Sequence, residues 1–278
     1  MVFYTLAFFW DDKHRHTYSY YYSNGRDQRY LIMTPDRPTA DLFFRFLQDQ
    51  LDVGDKAKFC SVTRLSPQMF SWCGDNEESI TWAIDYINEG SGRVPARVLN
   101  ELKGRVFYKR LGKWNDDYRT FPILPELDVK DHINTATFCI RNARVPQRFW
   151  YVPGDLTSET DVQVSIYHRS KFEIKMTEDA GLDKSREVKR LMIHSDNVYI
   201  HVVRDRSRVP IVVNRKRTLQ ASPDEDPKAF PFGGLRGQKF HVELEKSDNE
   251  NSNDGPGKIT LKFKSGSDND TGEIWELC

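Results

Sequence analysis

The chain has 278 residues, and its 41 Lys and Arg residues balance 41 Asp and Glu residues, so the formal net charge is +0. This balance excludes a protein whose whole surface attracts nucleic acid or anionic lipid. A composition of 38% hydrophobic and 29% charged residues excludes a disordered chain, and the length suffices for two domains or one large one.

The first residues predict a buried strand. The apolar run at 2–10 has no basic residue before it and no small-residue cleavage site after it, so we expect no signal peptide. No segment approaches the roughly 18 apolar residues that a membrane span requires. The expected location is therefore cytoplasmic, with unconventional export as the alternative.

A hairpin is predicted after this strand. Strand-like aromatic residues at 17–22 are followed by a turn signal at Asn24 and Gly25, and a second strand is expected at 29–33.

Three amphipathic helices are predicted next. Apolar residues recur at three- and four-residue steps through 42–51, with Thr39 as the expected N-cap and Gly54 as the expected terminator. The second helix is predicted over 80–87 and the third over 95–102, each followed by a glycine. The first half is therefore predicted to be a mixed α/β domain of unassigned role.

The second half is predicted to consist of short strands. Beyond residue 145 we expect no helix other than a turn near 182–190. Alternating or β-branched runs occur at 162–168, 172–176, 190–195, 198–203, 209–214, 240–245 and 259–264. This spacing indicates an antiparallel sandwich or barrel. With a turn-rich linker or loop at 115–131, the predicted domains are 1–144 (α+β) and 145–278 (all-β sandwich).

One hairpin is predicted in detail, with a turn at Asp196 and Asn197. Side chains alternate across a strand, which assigns one set to the core face: Leu191, Ile193, Val198, Ile200 and Val202. The opposite face receives Met192, His194, Tyr199, His201 and Val203. These outer polar groups either form a binding face or are ordinary solvent-facing residues.

Five segments of the second half resemble the galectin carbohydrate-recognition domain in order and rough spacing. They are KFEIKM at 171–176, DNVYIHVVRD at 196–205, VPIVVN at 209–214, FPFGGLRGQKFHVELE at 230–245 and GKITLKFKSG at 257–266. The resemblance covers roughly residues 148–278 and implies a galectin-like jelly roll. A full domain of that family has further strands. Either residues 138–153 supply them, or the sandwich is abbreviated, or the resemblance is false.

The resemblance also implies a sugar site. His201 stands where the family's histidine accepts a hydrogen bond from the galactose 4-hydroxyl, and Asn214 where its asparagine contacts the 6-hydroxyl. The family's arginine is replaced, and Arg204 or Arg206 could substitute for it if the register slips. The candidate carbohydrate-binding residues are His201, Asn214, His194, Tyr199, Arg204 and Arg206.

Three family positions are altered. Val203 and Asp205 stand in place of an asparagine and an arginine, and Ala221 stands where a tryptophan stacks on galactose. Alanine removes most of the apolar contact, and aspartate cannot donate as a guanidinium does. We therefore expect weak or no binding of ordinary β-galactosides, and recognition of another glycan or of a protein partner.

Two other functions remain as alternatives. A basic cluster could bind RNA or another anionic ligand, although charged residues on a sheet edge also prevent aggregation: Arg204, Arg206, Arg208, Arg215, Lys216 and Arg217. An enzyme could be centred in residues 1–140, with Cys73 as nucleophile and His132 as base. No local catalytic motif is present there.

The sequence assigns no catalytic residue, cofactor or metal site. His14 and His16 could bind a metal with Asp11 or Asp12, but no further ligands follow at a suitable spacing. Four widely spaced cysteines, Cys60, Cys73, Cys139 and Cys278, are expected to be reduced thiols, with one structural disulfide or a metal site as alternatives. The expected function is therefore binding without catalysis, and the oligomeric state is not indicated.

Overall fold

The computed structural model describes residues 2–9, 29–74, 78–111, 130–177, 190–205, 207–244, 259–264 and 272–278. The chain divides into two compact units, Met1–Asp131 and His132–Cys278. The described residues form mostly β-structure, in sheets that are largely antiparallel, with few helices. No described helix has both the length and the apolar character to cross a membrane.

The first unit contains a six-stranded sheet with the order β3-β4-β5-β1-β2-β6. Its strands are β1 (Phe3–Phe9), β2 (Arg29–Thr34), β3 (Asp52–Gly54), β4 (Ala57–Ser66), β5 (Met69–Gly74) and β6 (Phe107–Leu111). Strand β1 is antiparallel to β2 and parallel to β5. In the described part of this unit three helices accompany the sheet: α1 (Arg37–Asp49), α2 (Ser79–Glu89) and α3 (Ala96–Leu102).

A helix lies at each of the three predicted positions, but the predicted ends of the first are wrong. Asp36 is the N-cap, because its side chain accepts hydrogen bonds from the backbone and the hydroxyl of Thr39. The helix ends before Gln50, and Gly54 belongs to β3. The strands β3, β4, β5 and β6 were not predicted from the sequence.

The second unit contains two antiparallel sheets. The first sheet has the order β10-β15-β14-β13-β12-β7, with β16 paired to β13, and the second has the order β17-β18-β11-β9-β8-β19. The bounds are β7 (Thr137–Phe138), β8 (Ile140–Asn142), β9 (Phe149–Tyr151), β10 (Thr160–Asp161), β11 (Gln163–Ser165), β12 (Lys171–Met176), β13 (Asn197–Arg204), β14 (Ser207–Val213), β15 (Leu219–Ala221), β16 (Phe230–Pro231), β17 (Phe240–Leu244), β18 (Ile259–Phe263) and β19 (Trp275–Leu277).

The two sheets share one apolar core. The fully buried ring of Trp150 on β9 lies 5.8 Å from Phe172 on β12, so the sheets meet face to face. Trp150 also contacts Trp275 on β19, at 5.8 Å between ring centroids. Edge-to-face aromatic pairs add about 0.5–1.5 kcal/mol each beyond the area they bury. The arrangement is β-sandwich-like.

Residues 138–153 supply strands to both sheets. They form β7, β8 and β9, and β8 pairs with the last strand, β19. The predicted domain boundary at 144/145 therefore falls within the second unit, between β8 and β9.

The predicted hairpin around Asp196 is wrong. Strand β13 pairs with β12, β14 and β16, and not with residues 191–195. Leu191, Met192 and Ile193 are all buried, which an alternating strand does not allow, and the Asp196 carboxylate accepts from the Ile193 backbone N–H to close a turn. The predicted faces of β13 itself are confirmed, because Val198, Ile200 and Val202 enter the core.

Several predictions lie outside the described residues: the strand and turn at 17–25, His14 and His16, most of the loop at 115–131, the turn at 182–189 and Arg206.

Candidate functional site

The outer face of the first sheet, which points away from the core, holds most of the predicted site residues. On β13 the side chains of Tyr199, His201 and Val203 are half-buried on this face. The register places Glu173 of β12 on one side of His201 and Pro210 of β14 on the other. Directly opposed residues share a face, so these side chains are neighbours.

The surroundings of His201 favour the neutral imidazole. Burial lowers its pKa below the ordinary value, and Lys175 and Arg208 lower it further, whereas Glu173 acts in the opposite direction. Its Nδ1 atom is buried and has no hydrogen-bond partner among the described residues. A neutral imidazole carries one donor and one acceptor. The ring can therefore both give and receive a hydrogen bond.

Glu173 and Arg208 complete a charged group beside this histidine. The Glu173 carboxylate is buried and accepts from Arg208 Nη2 at 3.0 Å, while the Arg208 side chain is exposed. The guanidinium keeps further donors directed outward, because it carries five N–H groups in a planar fork. We call Glu173, His201 and Arg208 the β13 triad.

Tyr199 lies on the same face as the β13 triad. It is half-buried and directly opposite Lys175. Two residues along a strand correspond to about 7 Å, so Tyr199 is the nearest aromatic side chain to His201 along β13.

Asn214 is on the same face but is not brought together with His201. It follows β14 four residues after Pro210, which is about 13 Å along an extended chain. Its Oδ1 atom accepts from the backbone N–H groups of Lys216 and Thr218, both at 2.9 Å. These bonds close the turn after β14. Asn214 thus has a structural function in this turn.

A cleft of about 360 Å³ lies next to Asn214. Carboxylate, amide, hydroxyl and basic groups line it: Glu159, Asp161, Asn214, Arg215, Lys216, Thr218 and Gln220. His201 is not among the lining residues. The two family positions carried over from the galectin resemblance therefore lie in separate places on the sheet.

His194 and Arg204 point elsewhere. His194 is exposed in the loop before β13, and its backbone carbonyl accepts from the Gly233 N–H at 2.9 Å. Arg204 donates from Nη2 to the Val152 carbonyl at 2.7 Å. Neither residue belongs to the outer-face group around His201.

The hairpin between β13 and β14 is tight. Arg204 pairs with Ser207, so the turn contains two residues, and Asp205 adopts a φ of 54° there. Two-residue turns of this type require positive φ, which aspartate tolerates. The position of the family's arginine is therefore occupied by a turn residue.

Ala221 cannot occupy the position of a sugar-stacking aromatic residue. It is fully buried and belongs to the core between the sheets. Gln220 is the β15 residue on the outer face, where it faces Val212 and donates from Nε2 to Asp161 at 2.7 Å. Ala221 is therefore not part of the outer face of this sheet.

The basic cluster is divided between the two ends of β14. Arg204 and Arg208 lie at the β13–β14 turn, and Arg215 to Arg217 lie beyond the other end of the strand. Seven residues of extended chain separate Arg208 from Arg215 by roughly 20 Å. The described members do not form one continuous patch.

The first unit contains a buried ionic network that the sequence analysis missed. Asp41 accepts from Arg37 Nε at 3.1 Å and from Arg64 Nη2 at 2.6 Å, and Arg64 Nε donates to Asp131 at 2.7 Å. Burial raises the pKa of Asp41, and the two arginines oppose this effect. Arg64 also lies over the Phe44 ring at 5.2 Å. Every charged group of this network is paired, so we interpret it as part of the packing of the first unit.

The two residues of the alternative catalytic pair belong to different units. Cys73 is half-buried on β5 of the first unit, and His132 begins the second unit. The His132 ring packs edge-on against Phe138 and Phe232. Among the described residues, no three His, Cys, Asp or Glu side chains are grouped to hold a metal ion.

His201 was predicted from the sequence as a site residue, but its partners Glu173 and Arg208 were not. Glu173 is one of three charged residues that alternate with apolar ones in KFEIKM, and nothing local indicates that β12 pairs with β13. Arg208 was counted as part of the basic cluster. Comparison with known proteins adds no relative: no protein-family model matches the chain, and no curated protein matches it.

Proposed function

We propose that the second unit is a galectin-like β-sandwich that binds a neutral glycan at the outer face of its first sheet. The β13 triad is the centre of this site. The observation that carries the proposal is the half-buried His201 beside a paired carboxylate and guanidinium, with a buried Nδ1 that has no hydrogen-bond partner among the described residues. We also propose that the first unit is an α+β domain, without assigning it a role.

The chemistry of the triad suits hydroxyl groups. Each sugar hydroxyl both donates and accepts. The Glu173 carboxylate accepts, the Arg208 guanidinium donates, and His201 does both. Hydrogen bonds to ionised groups are roughly twice as strong as neutral ones. Tyr199 can add an aromatic contact to the apolar C–H face of a sugar ring.

The proposal predicts low affinity for ordinary β-galactosides. Ala221 is a core residue and Gln220 occupies the adjacent outer position, so the outer face of β15 offers no aromatic side chain. Asn214 is used in its own turn. A glycan that contacts the β13 triad and Tyr199 therefore differs from lactose in the hydroxyl groups it presents.

The test is a glycan array followed by calorimetric titration of the full chain. We expect saturable binding of at least one neutral glycan, at least tenfold weaker after His201→Ala or Glu173→Gln. Lactose and N-acetyllactosamine should bind weakly or not at all. His194→Ala is the matched control, because His194 is an exposed histidine outside the triad, and it should bind as the wild type does.

Three results would contradict the proposal. One is that no array glycan binds. Another is that binding is unchanged in His201→Ala and Glu173→Gln, with both variants folded by circular dichroism. The third is that Lys216→Ala abolishes binding while His201→Ala does not, because this result would place the ligand in the cleft beside Asn214.

A further inference from the structure

Two cysteines extend the ladder between β8 and β19 by one residue pair. The register pairs Leu277 with Ile140, and the next pair is Cys278 with Cys139. The two cysteines exchange both backbone hydrogen bonds, each at 2.9 Å from N to O. They are therefore a directly opposed, hydrogen-bonded pair.

The Cα spacing of this pair is within the range of a disulfide. Residues of a hydrogen-bonded antiparallel pair have Cα atoms about 5.5 Å apart, and disulfides most often span about 5.5–6 Å between Cα atoms. Directly opposed residues have Cβ atoms about 4.5–5.5 Å apart and a disulfide needs about 3.5–4.5 Å, so bond formation draws the two strands slightly together. The Cys278 thiol lies 3.5 Å from the Cys139 carbonyl oxygen, so this side chain already lies over its neighbour. We propose that Cys139 and Cys278 form a reversible disulfide that fastens β19 to β8.

The environment leaves both thiols within reach of a small oxidant. Ile140 and Leu277 point into the core, so the cysteines lie on the opposite, outer face of the second sheet. Both are half-buried. The adjacent outer pair is the Arg141–Glu276 ion pair, at 2.6 Å, which keeps the two strands in register beside the thiols.

The reaction is an exchange with a low-molecular-weight disulfide such as oxidised glutathione. The thiolate of one cysteine attacks a sulfur of this oxidant, forms a mixed disulfide and releases one small thiolate. The second cysteine then attacks the protein sulfur of the mixed disulfide, forms the Sγ–Sγ bond and releases the other small thiolate. Two protein thiols are oxidised. The two electrons and two protons they lose are carried by the two molecules of reduced glutathione.

The other two cysteines are arranged differently. In the β4–β5 ladder the residue opposite Cys73 is Ser61, and the register shifts between Phe59 and Ser61, where Cys60 lies. Cys60 and Cys73 are therefore not a directly opposed pair. A Cys60→Ser/Cys73→Ser variant gives a background in which only the proposed pair can form.

The experiment equilibrates the full chain in glutathione buffers from reducing to oxidising, blocks remaining thiols by alkylation and digests with trypsin. The proposal predicts that the peptides 131–141 and 265–278 are linked in oxidising buffer and separate in reducing buffer. The link should persist in the Cys60→Ser/Cys73→Ser background and disappear in Cys278→Ser. Oxidation should also raise the melting temperature by roughly 5–10 °C.

Any of three outcomes overturns the proposal. In the first, both cysteines remain alkylated at every glutathione ratio. In the second, they carry glutathione or link to Cys60 or Cys73. In the third, the Cys139–Cys278 link forms but the melting temperature falls, which would show that the bond distorts the native strands.

Discussion

At the scale of single residues, the β13 triad combines groups that a purely structural sheet does not require. A buried carboxylate is costly unless it is paired, and Glu173 is paired with Arg208. A half-buried imidazole avoids the same cost by remaining neutral. Because of burial and pairing, Glu173, His201 and Arg208 can form hydrogen bonds with a ligand without changing their protonation states.

This state of His201 predicts a pH dependence of stability. Because its pKa in the folded protein is lowered, the unfolded chain binds the proton first as pH falls below about 6.5. The contribution of His201 to the free energy of unfolding is therefore present above this pH and declines below it, towards the folded pKa. We expect the free energy of unfolding, measured with urea from pH 5 to 8, to depend less steeply on pH in His201→Gln than in the wild type. The same pH dependence in both proteins would contradict this assignment, and His194→Gln is the control.

The buried network of the first unit makes a second prediction at this scale. Arg64→Met leaves the buried Asp41 with a single arginine and removes the partner of Asp131. Breaking a buried pair on one side costs about 3–5 kcal/mol. Chemical denaturation should show a loss of about 3 kcal/mol. Arg97→Met is the control, because its pair with Glu101 is exposed and should contribute little. Equal effects of the two substitutions would show that the network is not important for stability.

At the scale of elements, strand register decides which residues a ligand can meet. Ala221 and Gln220 are adjacent in sequence but lie on opposite faces of β15. A shift of one residue in an alignment exchanges the faces of a strand. An alignment based on spacing alone therefore cannot place a stacking aromatic residue on this strand.

Introducing tryptophan at each of these positions tests the register. Ala221→Trp forces an indole into a packed core and should destabilise the second unit by about 3 kcal/mol, or prevent folding. Gln220→Trp places the ring on the outer face and removes only the contact with Asp161, so its melting temperature should change by a few degrees at most. Thermal unfolding of the two variants distinguishes the faces. A greater loss in Gln220→Trp would contradict the register.

Alternation predicted the faces of β13 correctly, because burial on one side imposes a period of two on any strand. Alternation does not predict which strands pair with β13. Residues 191–195 and β12 are both short segments that contain buried apolar residues, and only tertiary packing selects β12 as the partner. The grouping of Glu173 with His201 depends on this choice, so the centre of the proposed site was not accessible from local pattern.

At the scale of the whole chain, each unit has its own sheet system, and the second unit needs residues that precede 145. Ile140 is fully buried and Phe138 nearly so, and β8 lies between β9 and β19. The predicted boundary at 144/145 differs from the division at 131/132, although the turn-rich segment at 115–131 ends at that division. The strands β7 and β8 were not predicted, because strands of two or three residues leave almost no periodic signal.

This arrangement predicts different behaviour of two segments expressed separately. Residues 132–278 contain every strand of both sheets of the second unit and should fold, with a cooperative thermal transition. Residues 145–278 lack β7 and β8, so β19 loses its partner and the core is opened at Ile140. Circular dichroism and heteronuclear NMR spectra should show this shorter segment to be unfolded or aggregated. A cooperative transition in it would contradict the role of β8.

The pairing of β8 with β19 also sets the order in which the second unit matures. Arg141 and Glu276, which face each other across this ladder, are 135 residues apart in the chain. Contacts between such distant residues slow folding, because a long loop must close before they form. During synthesis the second sheet is therefore incomplete until β19 has been made and has paired with β8. Until then one edge of β8 is open, and chaperones or neighbouring nascent chains can bind to it.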